Sequence, residues 1–135
     1  MKRNDQFILN LIAQTIYDKK GMNILVLDVR KFSSLTDYVI IAEGSVNKHV
    51  TGIAHAVIQA LKVHEISPKH HEGLAVGDWV VLDYMQFMVH LLTPAVREKY
   101  YLEELWRDAD IVDVSIDISS SRTVAYVGAE NSVSF

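Results

Sequence analysis

Gly44-Ser45 stands between an apolar run and a helical one, where the free amides at a helix N-terminus can take up a phosphate. Nucleotidyl transfer at such a turn also needs two neighbouring carboxylates, one residue apart and about ten positions further on, to hold a metal pair. Residues 54–58 read Ala-His-Ala-Val-Ile instead. Neither GxxxxGKS/T nor GxGxxG occurs, so a helix cap is the simpler use of Gly44-Ser45. The histidines are His49, His55, His64, His70, His71 and His90. His49 and His55 are too far apart to share a helix face as an i, i+4 pair would, and HExxH is absent. His70-His71 falls in a polar connection. Asp28, Asp37, Asp78 and Asp83 sit at the ends of apolar runs, the usual place of turn-forming aspartates. There is no GxSxG. These residues supply no acid–base pair, no metal set and no catalytic residue, and no cofactor is expected.

A second set is aromatic: Trp79, Tyr84, Phe87, Tyr100, Tyr101 and Trp106. Residues 78–83 and 87–92 read as two strands joined by a short turn, hence antiparallel. Alternation places Trp79, Val81 and Asp83 on one face and Val80, Leu82 and Tyr84 on the other. On the next strand Phe87, Val89 and Leu91 oppose Met88, His90 and Leu92. Strands apolar on both faces must be covered on both, and a chain of 135 residues has few helices for that. Part of one face is therefore expected to meet a partner or a second copy, and Trp and Tyr dominate such contacts.

The elements that position these residues follow from periodicity. Asp5 is a possible cap for a helix to about Lys20, with Ile8, Leu11, Ile12 and Ile16 on one stripe and Gly21 ending it. Residues 24–29 and 38–42 read as strands. Val46, Val50, Ile53, Ala54, Val57, Ile58 and Leu61 keep helical spacing, with Ser45 or Asn47 as cap. A connection holding Pro68, Gly73 and Gly77 follows, with a short strand near His71. Thr93-Pro94 starts a helix, and Leu102 to Trp106 is a further helical turn. This order predicts a single α/β domain, a mixed sheet flanked by helices, over residues 1–114. Residues 115–135 read as a C-terminal extension, with 123–127 either a small strand or unordered.

Half of the residues are hydrophobic and 22% charged, with no cysteine. That composition suits one globular domain and excludes disulfides and thiolate metal sites. No apolar run is long enough to span a membrane, and the amphipathic N-terminus does not read as a signal peptide. A cytoplasmic location is expected. The net charge of −4 argues against general attraction to nucleic acid. Residues 94–117 carry seven acidic and three basic side chains, an excess equal to the whole net charge and suited to a basic partner.

Asp37 to Val57 and Glu72 to Ala109 resemble the ribosomal silencing factor family, also called Iojap. Trp79, Asp83-Tyr84, His90, Pro94, Arg97, Tyr100, Leu102-Glu103 and Leu105-Trp106 fall in register with its pattern, and the likeness runs from Asn4 to about Asp113. The resemblance implies a nucleotidyltransferase-like core without the catalytic carboxylates and without a cofactor. It implies binding to the large ribosomal subunit through ribosomal protein number fourteen, at the face that meets the small subunit. Subunit joining would then be blocked sterically and translation repressed. It also implies a homodimer, with no direct sequence-specific contact to nucleic acid. The density of aromatic residues beside acid assigns the partner contact to Trp79, Asp83, Tyr84, Met88, His90, Tyr100 and Trp106. Residual nucleotidyltransferase chemistry at Gly44-Ser45 is the alternative. The family's Gly-Asp after the tyrosine is here Met85-Gln86, and Met resists the positive φ that Gly accepts, so a different turn is expected. Leu92-Thr93 replaces the usual Phe-His, and Val96 the usual glutamate.

Overall fold

Ile8, Leu9, Ile12, Ala13 and Ile16 recur at helical spacing and bury one stripe of the first helix, α1 (Asp5–Asp18). Its cap is Asn4, whose side chain accepts the Phe7 N–H at 3.1 Å. Asp5, the expected cap, is the acid of the first turn, where it favours the helix dipole. The left-handed residue after the helix is Lys20 (φ 67°) and not Gly21. Gly21 is required for another reason: a Cβ there would collide with the Ile16 side chain.

The computed structural model describes residues 4–118 and 123–127. After α1 come β1 (Met22–Asp28), β2 (Tyr38–Glu43), α2 (Asn47–Lys62), β3 (His70–Glu72), β4 (Trp79–Asp83) and β5 (Phe87–Leu92). They are followed by α3 (Pro94–Tyr100), α4 (Leu102–Leu105), β6 (Asp110–Ile111), β7 (Val114–Ile118) and β8 (Thr123–Val127). Six strands form one sheet in the order β3-β4-β5-β2-β1-β6. β2 and β5 run parallel, and the other pairs are antiparallel. This is the mixed α/β sheet that the alternation of helical and strand patterns predicts.

The two faces are covered unequally. α1 and α2 bury one face: Ile12, Ile16, Val50, Ile53 and Val57 pack with Val26, Ile40, Leu82 and Val89 in the larger core. On the other face Leu25, Leu27, Val29, Val39, Ile41 and Leu92 form a smaller core beneath Val96, Leu102, Trp106 and Ala109. That cover comes from α3, α4 and the turn after them. Beside it, Val81, Met88 and His90 remain half-buried.

The strand β7 crosses the expected domain boundary at 114. Val114, Ile116 and Ile118 are buried, and the first two join the larger core. Its edge is held by polar side chains one turn apart on α1. Asn10 Oδ1 accepts the Ser115 N–H, and Gln14 Oε1 accepts the Asp117 N–H at 2.7 Å. The Gln6 and Gln14 amides donate to the Asp113 and Asp117 carbonyls. The strand left open over 123–127 pairs antiparallel with β7. The rest of the expected C-terminal extension, 119–122 and 128–135, lies outside the described residues.

Candidate partner-binding face

The β4–β5 register sets the open face. Trp79 stands opposite Leu92, Val81 opposite His90 and Asp83 opposite Met88. The flanking strands extend it: β2 brings Ile41 beside His90 and Val39 beside Met88. β3 brings Glu72 beside Val81 and His70 beside Asp83. Because side chains alternate along each strand, all of these share one side of the sheet.

Three rings meet at the margin of this face. The Trp79 indole Nε1–H donates to His90 Nδ1 at 3.1 Å. The Trp79 and Tyr100 rings lie 5.1 Å apart, tilted by 44°, and the Lys99 ammonium sits 5.4 Å from the Tyr100 centroid. Burial disfavours the charged imidazolium and lowers the His90 pKa to about 4. His90 is thus a neutral ring in a hydrophobic setting.

The expected contact set divides across the sheet. Trp79, Asp83, Met88 and His90 lie on the open face, and Tyr100 is exposed beside Trp79. Trp106 is half-buried and packs over the smaller core. Tyr84 points to the opposite side, only 6% exposed, and packs in the larger core. Its hydroxyl is buried without a hydrogen-bond partner among the described residues, and desolvation pushes its pKa up to about 12. Asp83 does what a strand-end aspartate is expected to do: its Oδ1 accepts the Met85 N–H at 2.8 Å. Met85 nevertheless takes a positive φ of 76°. Methionine thus carries here the positive φ that glycine accepts readily, and the Gln86 N–H closes the turn by donating to the Tyr84 carbonyl at 2.9 Å.

Gly44-Ser45 is occupied by the chain itself. Gly44 N–H donates to the Leu92 carbonyl at 3.0 Å. Ser45 N–H donates to His49 Nδ1 at 2.8 Å, and His49 Nε2–H donates to the Lys19 carbonyl at 2.7 Å. Neither Ser45 nor Asn47 caps α2 through its side chain; His49 reaches back from the first turn and takes an amide that an anion would need. Among the described residues no three His, Asp or Glu side chains gather as a metal site.

Arg97 anchors the helices that frame the face. Its guanidinium donates to Glu103 Oε2 at 2.7 Å, to the Asn23 carbonyl at 2.6 Å and to Glu43 Oε2 at 3.3 Å. The side chain is 7% exposed. It ties α3 to α4 and to the ends of β1 and β2. Sequence reading places Arg97 in the family register without assigning it this role.

Residues 2–132 match the family model described as "Ribosomal silencing factor during starvation", so the likeness continues beyond the Asp113 limit expected from the motifs. A Chromobacterium violaceum protein named ribosomal silencing factor is 37% identical over 101 residues, covering 75% of this chain and 83% of its own length. A crystal structure of a protein from the same organism superposes with a TM-score of 0.75 at 35% identity, covering 78% of this chain and 88% of that one. A mouse protein named for mitochondrial assembly of the ribosomal large subunit is 26% identical over 104 residues, covering 75% of this chain and 46% of its own length.

Proposed function

This chain belongs to the ribosomal silencing factor family, and from that premise we propose that it represses translation by occupying the large ribosomal subunit. The contact is made through ribosomal protein number fourteen, and the bound domain fills volume that the small subunit needs for joining. The observation that carries this reading is the family match over residues 2–132. The large-subunit assembly role in the name of the mouse relative points to the same subunit. The half-covered sheet face offers a docking surface, with Val81 and Met88 on its open part and the Trp79, His90 and Tyr100 rings at its margin. Trp106 supports it from behind, and Tyr84 holds the hairpin from the opposite core. A homodimer and a cytoplasmic location belong to the same proposal. The mode of action is binding and not turnover, because the amide at Gly44-Ser45 is engaged by His49.

The test is sedimentation of the purified protein with isolated ribosomal subunits at magnesium concentrations that favour joining. Co-migration with large subunits and loss of the joined peak are expected. Protein left at the top of the gradient, with the joined peak intact, would overturn the proposal.

A further inference from the structure

The Trp79–His90 pair fixes more than the position of a ring. An indole nitrogen carries a hydrogen and only donates. His90 Nδ1 accepts that hydrogen at 3.1 Å, so Nδ1 is unprotonated and the ring proton lies on Nε2. A protonated ring would set two N–H groups against each other, and burial favours the neutral form as well. The Nε2 atom has no hydrogen-bond partner among the described residues, and it is not sealed from solvent. His90 therefore carries a donor of fixed direction on the open face, between Val81 and Ile41.

We infer that His90 Nε2–H is a specificity-determining donor to the docked partner, and that the partner places a hydrogen-bond acceptor, such as a backbone carbonyl, against it. This rests on the proposed docking of a basic ribosomal protein at this face. Charge supports that occupant: β3, β4 and β5 bring Glu72 and Asp83 to the face and contain neither lysine nor arginine. A neutral His90 leaves this acidic character intact. In a desolvated contact, an acceptor meeting Nε2–H is satisfied, whereas a donor there leaves two hydrogens unpaired, which selects against the wrong surface.

Two measurements test the inference. The first is the imidazole nitrogen–proton correlation spectrum of the unmodified protein at neutral pH. The Nε2–H tautomer is expected for His90, and an Nδ1–H ring would overturn the inference without any variant. The second compares large-subunit binding by His90→Asn and His90→Gln. Asparagine can still accept from Trp79 but cannot donate where Nε2 stood, and glutamine can donate there but cannot accept from Trp79. Binding about tenfold weaker for His90→Asn and within about threefold of the unmodified protein for His90→Gln is expected. His90→Asn binding as tightly as the unmodified protein, or equal losses in both variants, would overturn the donor role while leaving the docking proposal standing. Failure of the unmodified protein to bind large subunits would overturn both.

Discussion

His90 also makes a prediction about stability. In the folded chain its pKa is lowered from 6.5 to about 4 by burial. Between those values the unfolded chain binds a proton that the folded chain does not. The contribution of His90 to stability is thus complete above about pH 6.5 and is lost as the pH falls towards 4, a change of about 3 kcal/mol at most. Urea unfolding from pH 7 to 4 should show His90→Asn losing less stability than the unmodified protein, and parallel profiles would contradict the shift. A second residue-level case is Met85, whose φ of 76° is sterically unfavourable for an L side chain. Met85→Gly should raise the urea midpoint by an amount worth about 1 kcal/mol, the steric relief being reduced by the entropy of the added glycine. An unchanged or lower midpoint would mean that the Met85 side chain supplies compensating contacts. The sequence marks both positions, His90 by its alternation and Met85 by its departure from the family pattern. It does not reveal the Trp79 bond, because a hydrogen bond across a register depends on rotamers that no pattern records. Nor does the pattern show that methionine would itself take a positive φ.

At the scale of elements, strand alternation places the hairpin, helical spacing places α2, and the Thr93-Pro94 start places α3 with α4 as the further turn. The device that holds α3 and α4 over the sheet was not legible. Arg97 meets Glu103 six residues away and Glu43 fifty-four residues away. Only the folded chain brings the ends of β1, β2 and α4 around one guanidinium. Glu103 Oε1 is buried there without a partner among the described residues, so the site depends on the positive charge. Arg97→Met keeps much of the side-chain volume but leaves Glu43 and Glu103 facing each other, and it should cost about 3 kcal/mol. Hydrogen exchange over 94–105 should accelerate more than exchange in α1 and α2, because Arg97 joins the cover on one face and not the larger core. Uniform acceleration across the chain would show that the two faces unfold as one unit. Loosened α3 would also move Tyr100 from Trp79, so the proposed large-subunit binding should weaken in the same variant.

For the whole molecule, the question is where the domain ends. Sequence reading divides the chain at 114 because the residues after it are weakly patterned and Ser119-Ser120-Ser121 reads as the start of an appendage. The partner of β7 is α1, more than a hundred residues earlier. Asn10 and Gln14 interrupt the apolar stripe of α1 as solvent-facing residues would, but they pair with the exposed edge of β7. An unpaired strand edge invites association with other chains, and this helix supplies side-chain amides in place of a neighbouring strand. Removing residues 114–135 would expose the apolar surface that Val114, Ile116 and Ile118 now cover. At about 2 kcal/mol for each of the three buried side chains, the loss is on the order of 6 kcal/mol, comparable to the entire stability of many domains. A chain ending at Asp113 should therefore unfold at a much lower urea concentration and with reduced cooperativity. If it keeps the midpoint of the full chain, β7 is an appendage after all and the core closes without it. If it is destabilised as expected, the fold that presents the Trp79–His90 face includes a strand packed on the opposite side of the sheet, behind α1. The proposed large-subunit binding would then depend on residues that lie away from the proposed docking face.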